Sequence, residues 1–164
     1  MTVQALPVVT WEATGWDDPR VAGLRDLMDA EIGPRYARPG ASPRSFPPPP
    51  SAAEVEVAWL ALAGGEPAAT ASLRRLAVEG EPVRWEVKRV FVAPAHRRRG
   101  LAAQALRRVE ESARALGVDR LLLQTGDRQP EAMALYERQG WEPVPAYPPY
   151  DRVGHSRCYG RHFD

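Results

Sequence analysis

The segment Val90–Ala105 constrains the fold of this chain most, because it has the pattern of a strand end, a turn and a helix start. The strand part, Val90–Val92, is apolar, the turn carries Arg97–Arg99, and the helix opens at Gly100. A helix N-terminus offers unpaired N–H groups and a partial positive charge, and glycine lets a ligand approach the backbone closely. The segment therefore predicts a site for an anion such as a pyrophosphate, with a solvated basic helix start as the alternative.

The surrounding pattern predicts an α+β fold. Strands at Val55–Leu62, Ala68–Leu76 and Trp85–Val92 are separated by short turns, which favours an antiparallel meander. A helix from about Gly100–Leu116 then leads to the apolar strand Arg120–Gln124, which is typical of a parallel crossover. Further strands are expected near Val8–Trp11, Trp141–Val144 and Ser156–Phe163, with a first helix from Asp18–Pro19 to Gly33–Pro34.

A second motif follows the crossover in the segment Gln129–Trp141. Gln129 and Pro130 open a helix, Leu135 and Tyr136 lie within it, and Gly140 ends it. By helical spacing alone, Tyr136 is a core residue of this helix.

Together, the two motifs resemble the signatures of the GNAT superfamily of N-acetyltransferases. Arg97–Ala102, with the spacing Arg-x-x-Gly-x-Ala after a strand, is similar to the acyl-CoA signature of that family. In the second family signature an Asn or Gln and an Ala precede Leu-Tyr, and here Gln129 and Tyr136 fall on two of those positions. The resemblance covers Trp85–Trp141 well and the N-terminal half in outline.

The resemblance implies one domain over residues 1–164 with the GNAT fold. That fold is a mixed, mostly antiparallel sheet of about six or seven strands with helices on both faces, and acyl-CoA is bound at a splay between two central strands. Acetyl-CoA is the implied cosubstrate, and no metal is implied. The implied cofactor-binding residues are Val90, Phe91, Val92, Arg97, Arg98, Arg99, Gly100, Leu101, Ala102, Gln129, Ala132 and Tyr136.

The implied reaction is direct attack of a primary amine on acetyl-CoA. In this scheme Tyr136 protonates the departing sulfur, since a phenol with a pKa of about 10 can donate to a thiolate. Glu86 deprotonates the amine through water, and the backbone of Phe91 and Val92 supplies an N–H to the oxyanion. A salt bridge from Glu86 to Lys88 or an arginine is the alternative for that residue. A non-catalytic acyl-CoA-binding sensor or interaction module is the alternative function.

Strand alternation predicts two faces for the segment Glu86–Val92. One face is expected to carry Glu86, Lys88, Val90 and Val92, and the other Val87, Arg89 and Phe91.

Three tyrosines, Tyr36, Tyr147 and Tyr150, are expected to border the acceptor groove, with a plain surface role as the alternative for each. Residues 39–50 are rich in proline, which predicts an extended loop in place of the second helix usual in the family. This loop is a connector or a substrate gate. The expected acceptor is a small-molecule or peptide amine.

Composition narrows the class of protein further. The net charge of +1 gives no support for nucleic-acid binding. No apolar run approaches the length of a membrane span, about 18 residues, and no signal-peptide pattern is present. Cys158 is the single cysteine, which excludes an internal disulfide, and the three histidines lack metal-ligand spacing. These features favour a cytoplasmic protein, the arginine bias favours a bacterial source, and a homodimer is compatible with them.

Overall fold

The computed structural model describes residues 3–38 and 47–164 and contains a seven-stranded mixed sheet. Its strands are β1 (Val9–Thr14), β2 (Val55–Ala63), β3 (Glu66–Leu76), β4 (Arg84–Val92), β5 (Arg120–Gly126), β6 (Glu142–Val144) and β7 (Ser156–His162). Its α-helices are α1 (Pro19–Tyr36), α2 (Leu101–Ala115) and α3 (Pro130–Arg138), and single 3-10 turns cover Pro94–His96 and Tyr150–Arg152. Most of the predicted proline-rich loop, residues 39–46, lies outside the described residues, and Pro47–Pro50 are in neither helix nor strand.

The sheet has the order β1-β2-β3-β4-β5-β7-β6. Strands β1 to β4 pair antiparallel in sequence order, and β5 then pairs parallel to β4 after the α2 crossover. The expected meander, crossover and fold class are therefore confirmed.

Helices pack on both faces of this sheet. From α2, Leu106 and Val109 are fully buried against Leu73 and Leu121. On the opposite face, Val21 and its neighbours on α1 pack against β2 and the end of β4. Because helices cover both faces of the central strands, a ligand would reach them at their ends or at a gap between them.

Helix α1 extends further than its sequence predicts. The expected end at Gly33–Pro34 is wrong, because Pro34 lies inside the helix, which continues to Tyr36. Contacts from another part of the chain secure this last turn. Arg35 donates to the backbone oxygen of Arg128 at 3.1 Å, and the Tyr36 hydroxyl accepts the Arg128 N–H at 3.0 Å. A proline in the last turn removes one backbone hydrogen bond, which these contacts offset.

A β-bulge interrupts β4. Thr70 pairs with Phe91 and Ser72 with Lys88, so two residues of β4 lie opposite one residue of β3. The extra position coincides with Arg89, whose φ of +58° is left-handed and uncommon for a residue with a side chain.

The bulge reverses the side-chain alternation of the strand. Val90 and Val92 pack with the clusters on the α2 side of the sheet, whereas Phe91 packs against α1. The predicted common face for Glu86, Lys88, Val90 and Val92 is therefore wrong beyond Lys88, because one inserted residue exchanges the two faces.

Candidate functional site

A cleft opens where β4 and β5 separate. The two strands pair only at Glu86–Leu122 and Val87–Leu123. Beyond these pairs they diverge, so the β4 backbone after Val87 is available to a ligand on the side that faces β5. The cleft that results has two halves, which share Ile32, Val90, Gln129, Ala132 and Tyr136 as lining residues.

The cradle half is the part of the cleft between the end of β4 and the start of α2. It is a cavity of about 460 Å³, lined by Phe91, Val92, Arg97, Arg98 and Gly100–Ala103 among others. The far half lies between α1, β4 and β5, with a volume of about 790 Å³ and a lining that includes Pro47–Pro50, Lys88, Arg89, Gln124–Gly126 and Tyr150.

The start of α2 has the features of an anion site. Gly100 is its N-cap with a φ of +73°, and no side chain caps the helix. Arg98, two residues earlier, is also left-handed, with a φ of +63°. A Cβ added at Gly100 would meet no atom within 4 Å, so the space in front of the helix is open. The free N–H groups of the first turn therefore fit a phosphate or pyrophosphate group.

The three predicted arginines lie in different places. Arg98 is exposed and lines the cradle half. Arg97 also lines it, although its side chain pairs with Glu31 and donates to the backbone oxygen of Val92 at 3.0 Å. Arg99 instead donates to the backbone oxygen of Pro7 at 2.8 Å and is not among the lining residues. Of the three side chains, Arg98 is the best placed to meet an anion.

Tyr136 lies at the junction of the two halves. Helix α3 presents it there, next to the rings of Trp141 and Tyr159 at centroid distances of 6.4 and 5.8 Å. Its side chain is 7 % exposed, and burial raises its pKa. Among the hydrogen bonds of the described residues, none involves its hydroxyl. Tyr136 therefore presents a neutral hydroxyl to both halves of the cleft.

Glu86 is at the centre of a buried polar network. It is 0 % exposed, and its Oε1 accepts from Nε and Nη2 of Arg74 at 2.9 and 2.7 Å. The hydroxyl of Tyr147 donates to its Oε2 at 2.5 Å, and that of Tyr150 lies 3.4 Å from Oε1. Glu86 thus forms the arginine salt bridge that the sequence left open as the alternative.

Tyr147 and Tyr150 are both buried, and only Tyr150 lines the far half. Sequence reasoning missed Arg74, which pairs with Glu86 and donates to the Tyr150 hydroxyl at 2.8 Å. The register of the hairpin formed by β3 and β4 could have indicated this pair, because it places Arg74 directly opposite Glu86.

Tyr36 closes the far half from the side of α1. Its ring lies 4.7 Å from that of His155, and it lines the cavity, while its predicted role beside the acceptor stays a prediction. Gly126 on β5 is required for this approach, because a Cβ there would overlap the Tyr36 hydroxyl.

Other candidate groups contribute little to the site. Burial raises the pKa of the Cys158 thiol to about 11, which keeps it protonated at neutral pH. Within residues 3–38 and 47–164, no three His, Cys, Asp or Glu side chains group as metal ligands. The same part of the chain contains no helix long and apolar enough to span a membrane.

Comparison with known proteins is consistent with this geometry. The sequence model described as "Acetyltransferase (GNAT) family" matches residues 25–141. An IAA acetyltransferase from Azospirillum brasilense is 40% identical over 75 residues, which are 46% of this chain and 49% of the relative. The match therefore spans about half the length of that protein.

Solved structures with the same fold are numerous. A Klebsiella pneumoniae protein described as an acyl-CoA N-acyltransferase has a TM-score of 0.73 and 26% identity, over 94% of this chain and 97% of its own. A Bacillus subtilis acetyltransferase in complex with CoA has a TM-score of 0.63 and 13% identity, over 95% and 99% of the two chains. An Elizabethkingia anophelis GNAT family acetyltransferase with acetyl-CoA bound has a TM-score of 0.63 and 14% identity, over 94% of this chain and 98% of its own. At these identities, the last two show the shared fold.

Proposed function

Because the chain belongs to the acetyltransferase (GNAT) family, we propose that it transfers an acetyl group from acetyl-CoA to the nitrogen of a primary amine. One observation carries this proposal: the gap between β4 and β5 joins an uncapped helix N-terminus to a second cavity, with Tyr136 at the junction. A cosubstrate bound through its phosphates at one end would place its reactive end at that junction.

The cradle half fits the phosphates and the arm of acetyl-CoA. The N–H groups at the start of α2 and the exposed Arg98 would bind the pyrophosphate. The β4 backbone over Val90–Val92, which β5 leaves unpaired, would hydrogen-bond the pantetheine amides. When bound, acetyl-CoA supplies the acetyl group as an activated thioester.

Two parts of the chain would then assist the transfer. The Tyr136 hydroxyl, a phenol that is neutral at neutral pH, would donate its proton to the departing sulfur, and the proton that the amine nitrogen loses would pass to solvent water and restore the phenol. An N–H of the bulged β4 backbone near Phe91 and Val92 would stabilise negative charge on the acetyl oxygen.

Glu86 was predicted to be the base that deprotonates the amine through a water molecule, and this role stays a prediction. Its carboxylate is fully buried and accepts from Arg74 and Tyr147. These contacts support a positioning role. In this role Glu86 orients Arg74, and Arg74 in turn orients Tyr150, which lines the far half.

The test is acetyl transfer to a panel of amines, followed by free-thiol release and by mass spectrometry of the product. We expect some amines to gain one acetyl group in amounts that match the thiol released. Binding of acetyl-CoA with no acetylated product from any amine would favour the alternative, a non-catalytic acyl-CoA sensor.

A further inference from the structure

We propose that the acceptor carries a carboxylate as well as its amine, and that the ammonium group of Lys88 binds this carboxylate in the far half of the cleft. The inference rests on the proposed acetyl transfer, because it names the class of acceptor for that reaction.

Lys88 is well placed to contact an acceptor. It is the only lysine of the chain, it is half-buried, and it lines the far half. It also precedes the β4 bulge directly, so its side chain lies next to the backbone proposed to hold the reactive end of acetyl-CoA. An acceptor that reaches this backbone must therefore pass close to Lys88.

The ammonium of Lys88 has no carboxylate partner among the ion pairs of the described residues. Its Nζ donates to the Tyr150 hydroxyl at 3.1 Å, which uses one of its three N–H groups. The nearest acid on the strand, Glu86, is bound by Arg74 and by Tyr147. A partly buried cation whose nearest carboxylate is bound by other groups is poorly compensated, and an anionic ligand in direct contact would correct this.

The other charges of the far half also favour an anion. Its described lining contains the cations Arg38, Lys88 and Arg89 and one acid, Asp29. That acid is paired with Arg89, so it does not offset Lys88. The remaining lining includes Met28, Ile32 and Tyr36, which suits an apolar side chain on the acceptor. An amino acid with an apolar side chain has all three groups that the cavity would contact.

The same environment makes the binding depend on pH. Burial is the largest effect on the pKa of Lys88 and lowers it to about 8. The charged and titratable groups that influence it are Glu86 and Arg89 on β4, Arg74 on β3, Tyr150 after β6, and Cys158 on β7. Because only the ammonium form binds a carboxylate, affinity should be full below about pH 8 and should fall as the pH rises through that value. In Lys88→Arg, which stays charged, this fall should disappear.

Binding of products tests the inference without turnover. The probes are N-acetyl-L-phenylalanine, N-acetyl-L-methionine and N-acetylglycine, each beside its C-terminal amide, titrated calorimetrically into the full chain saturated with CoA. We expect at least one carboxylate to bind about 10- to 100-fold more tightly than its amide, the range of a charge-assisted hydrogen bond. Lys88→Met should abolish this preference, Lys88→Arg should retain much of it, and Arg75→Met, which removes an exposed cation outside the cleft, should not change it.

Three results would overturn the inference. These are equal binding of acid and amide, a preference that Lys88→Met retains, and no binding of any probe by the folded protein. Turnover separates this inference from the proposed function: acetylation of amines and amino-acid amides without any preference for the free acids would remove only the carboxylate site. A rate that rises through pH 8 and is lost in Lys88→Met, with acid and amide acceptors equal, would instead identify Lys88 as a base.

Discussion

Replacing Tyr136 with phenylalanine is expected to lower kcat about 10²- to 10⁴-fold, the usual contribution of a general acid. Affinity for acetyl-CoA should not change, because only the hydroxyl is removed and the ring keeps its packing against Trp141 and Tyr159. Stability should not change either, since none of the hydrogen bonds of the described residues involves that hydroxyl. Steady-state kinetics, calorimetric titration with acetyl-CoA and thermal unfolding measure the three quantities.

Tyr159→Phe is the matched control for this variant. Tyr159 belongs to the same aromatic cluster, but its hydroxyl donates to Glu137 at 3.1 Å and it does not line the cleft. The control should keep kcat close to that of the wild type. If Tyr136→Phe keeps it as well, Tyr136 is not the proton donor.

Removing the Glu86 side chain is expected to have the largest effect on stability. Glu86→Ala leaves the buried guanidinium of Arg74 with only the more distant carboxylate of Glu54, at 3.8 Å, and breaking a buried pair costs about 3–5 kcal/mol in the free energy of unfolding. The hydroxyl of Tyr147 also loses its acceptor. Urea unfolding monitored by tryptophan fluorescence gives the free energy directly.

The control is Glu12→Ala, which removes the carboxylate of a largely exposed pair with Arg20. Such pairs contribute about 0–1 kcal/mol, so this variant should unfold nearly as the wild type does. If Glu86→Ala lowers the free energy of unfolding by less than about 1 kcal/mol, the buried pair stabilises the fold no more than a surface pair does.

A more conservative variant tests the chemical role of Glu86. Glu86→Gln keeps the shape of the side chain and one oxygen that accepts from Arg74. If Glu86 only positions its neighbours, the variant should retain acetyl transfer with an unchanged pH profile. The opposite result is a folded variant whose activity falls about 10²-fold or more and whose pH profile loses its acidic limb. This result would support the prediction that Glu86 is the base.

Local sequence patterns predicted the architecture well. The meander of β2, β3 and β4 was predicted from its short turns, and the crossover to β5 from an apolar strand that follows a helix. Both patterns depend on contacts between elements that are neighbours along the chain. The bulge at Arg89 could not be predicted in this way, because it depends on the register between β3 and β4. One inserted residue was enough to place Val90 and Val92 on the face opposite Lys88.

Parts of the site depend on contacts distant in sequence, and these limited the prediction. The arginine motif marked the start of α2, but only the structure separates Arg98, which lines the cleft, from Arg99, which contacts Pro7. Similarly, α1 continues past Pro34 because residues near Arg128 bind its last turn. Tyr150 was predicted to border the groove because of its position in a loop. Its partner Arg74 was not predicted, because it lies far away in the sequence.

The central claim is that the start of α2 binds the phosphates of acetyl-CoA, and calorimetric titration of three proteins tests it most directly. These are the wild type, Gly100→Glu, and Gly117→Glu as the matched control. Gly117 follows the other end of α2, and its φ of +77° is close to the +73° of Gly100. Both variants therefore add the same charge and similar backbone strain, but only the first lies in the cleft.

We expect micromolar binding by the wild type and by Gly117→Glu, and no measurable binding by Gly100→Glu once thermal unfolding shows that each protein is folded. Binding by Gly100→Glu as tight as that of the wild type would contradict the proposed phosphate site. No binding by the folded wild type would contradict acetyl-CoA as the cosubstrate.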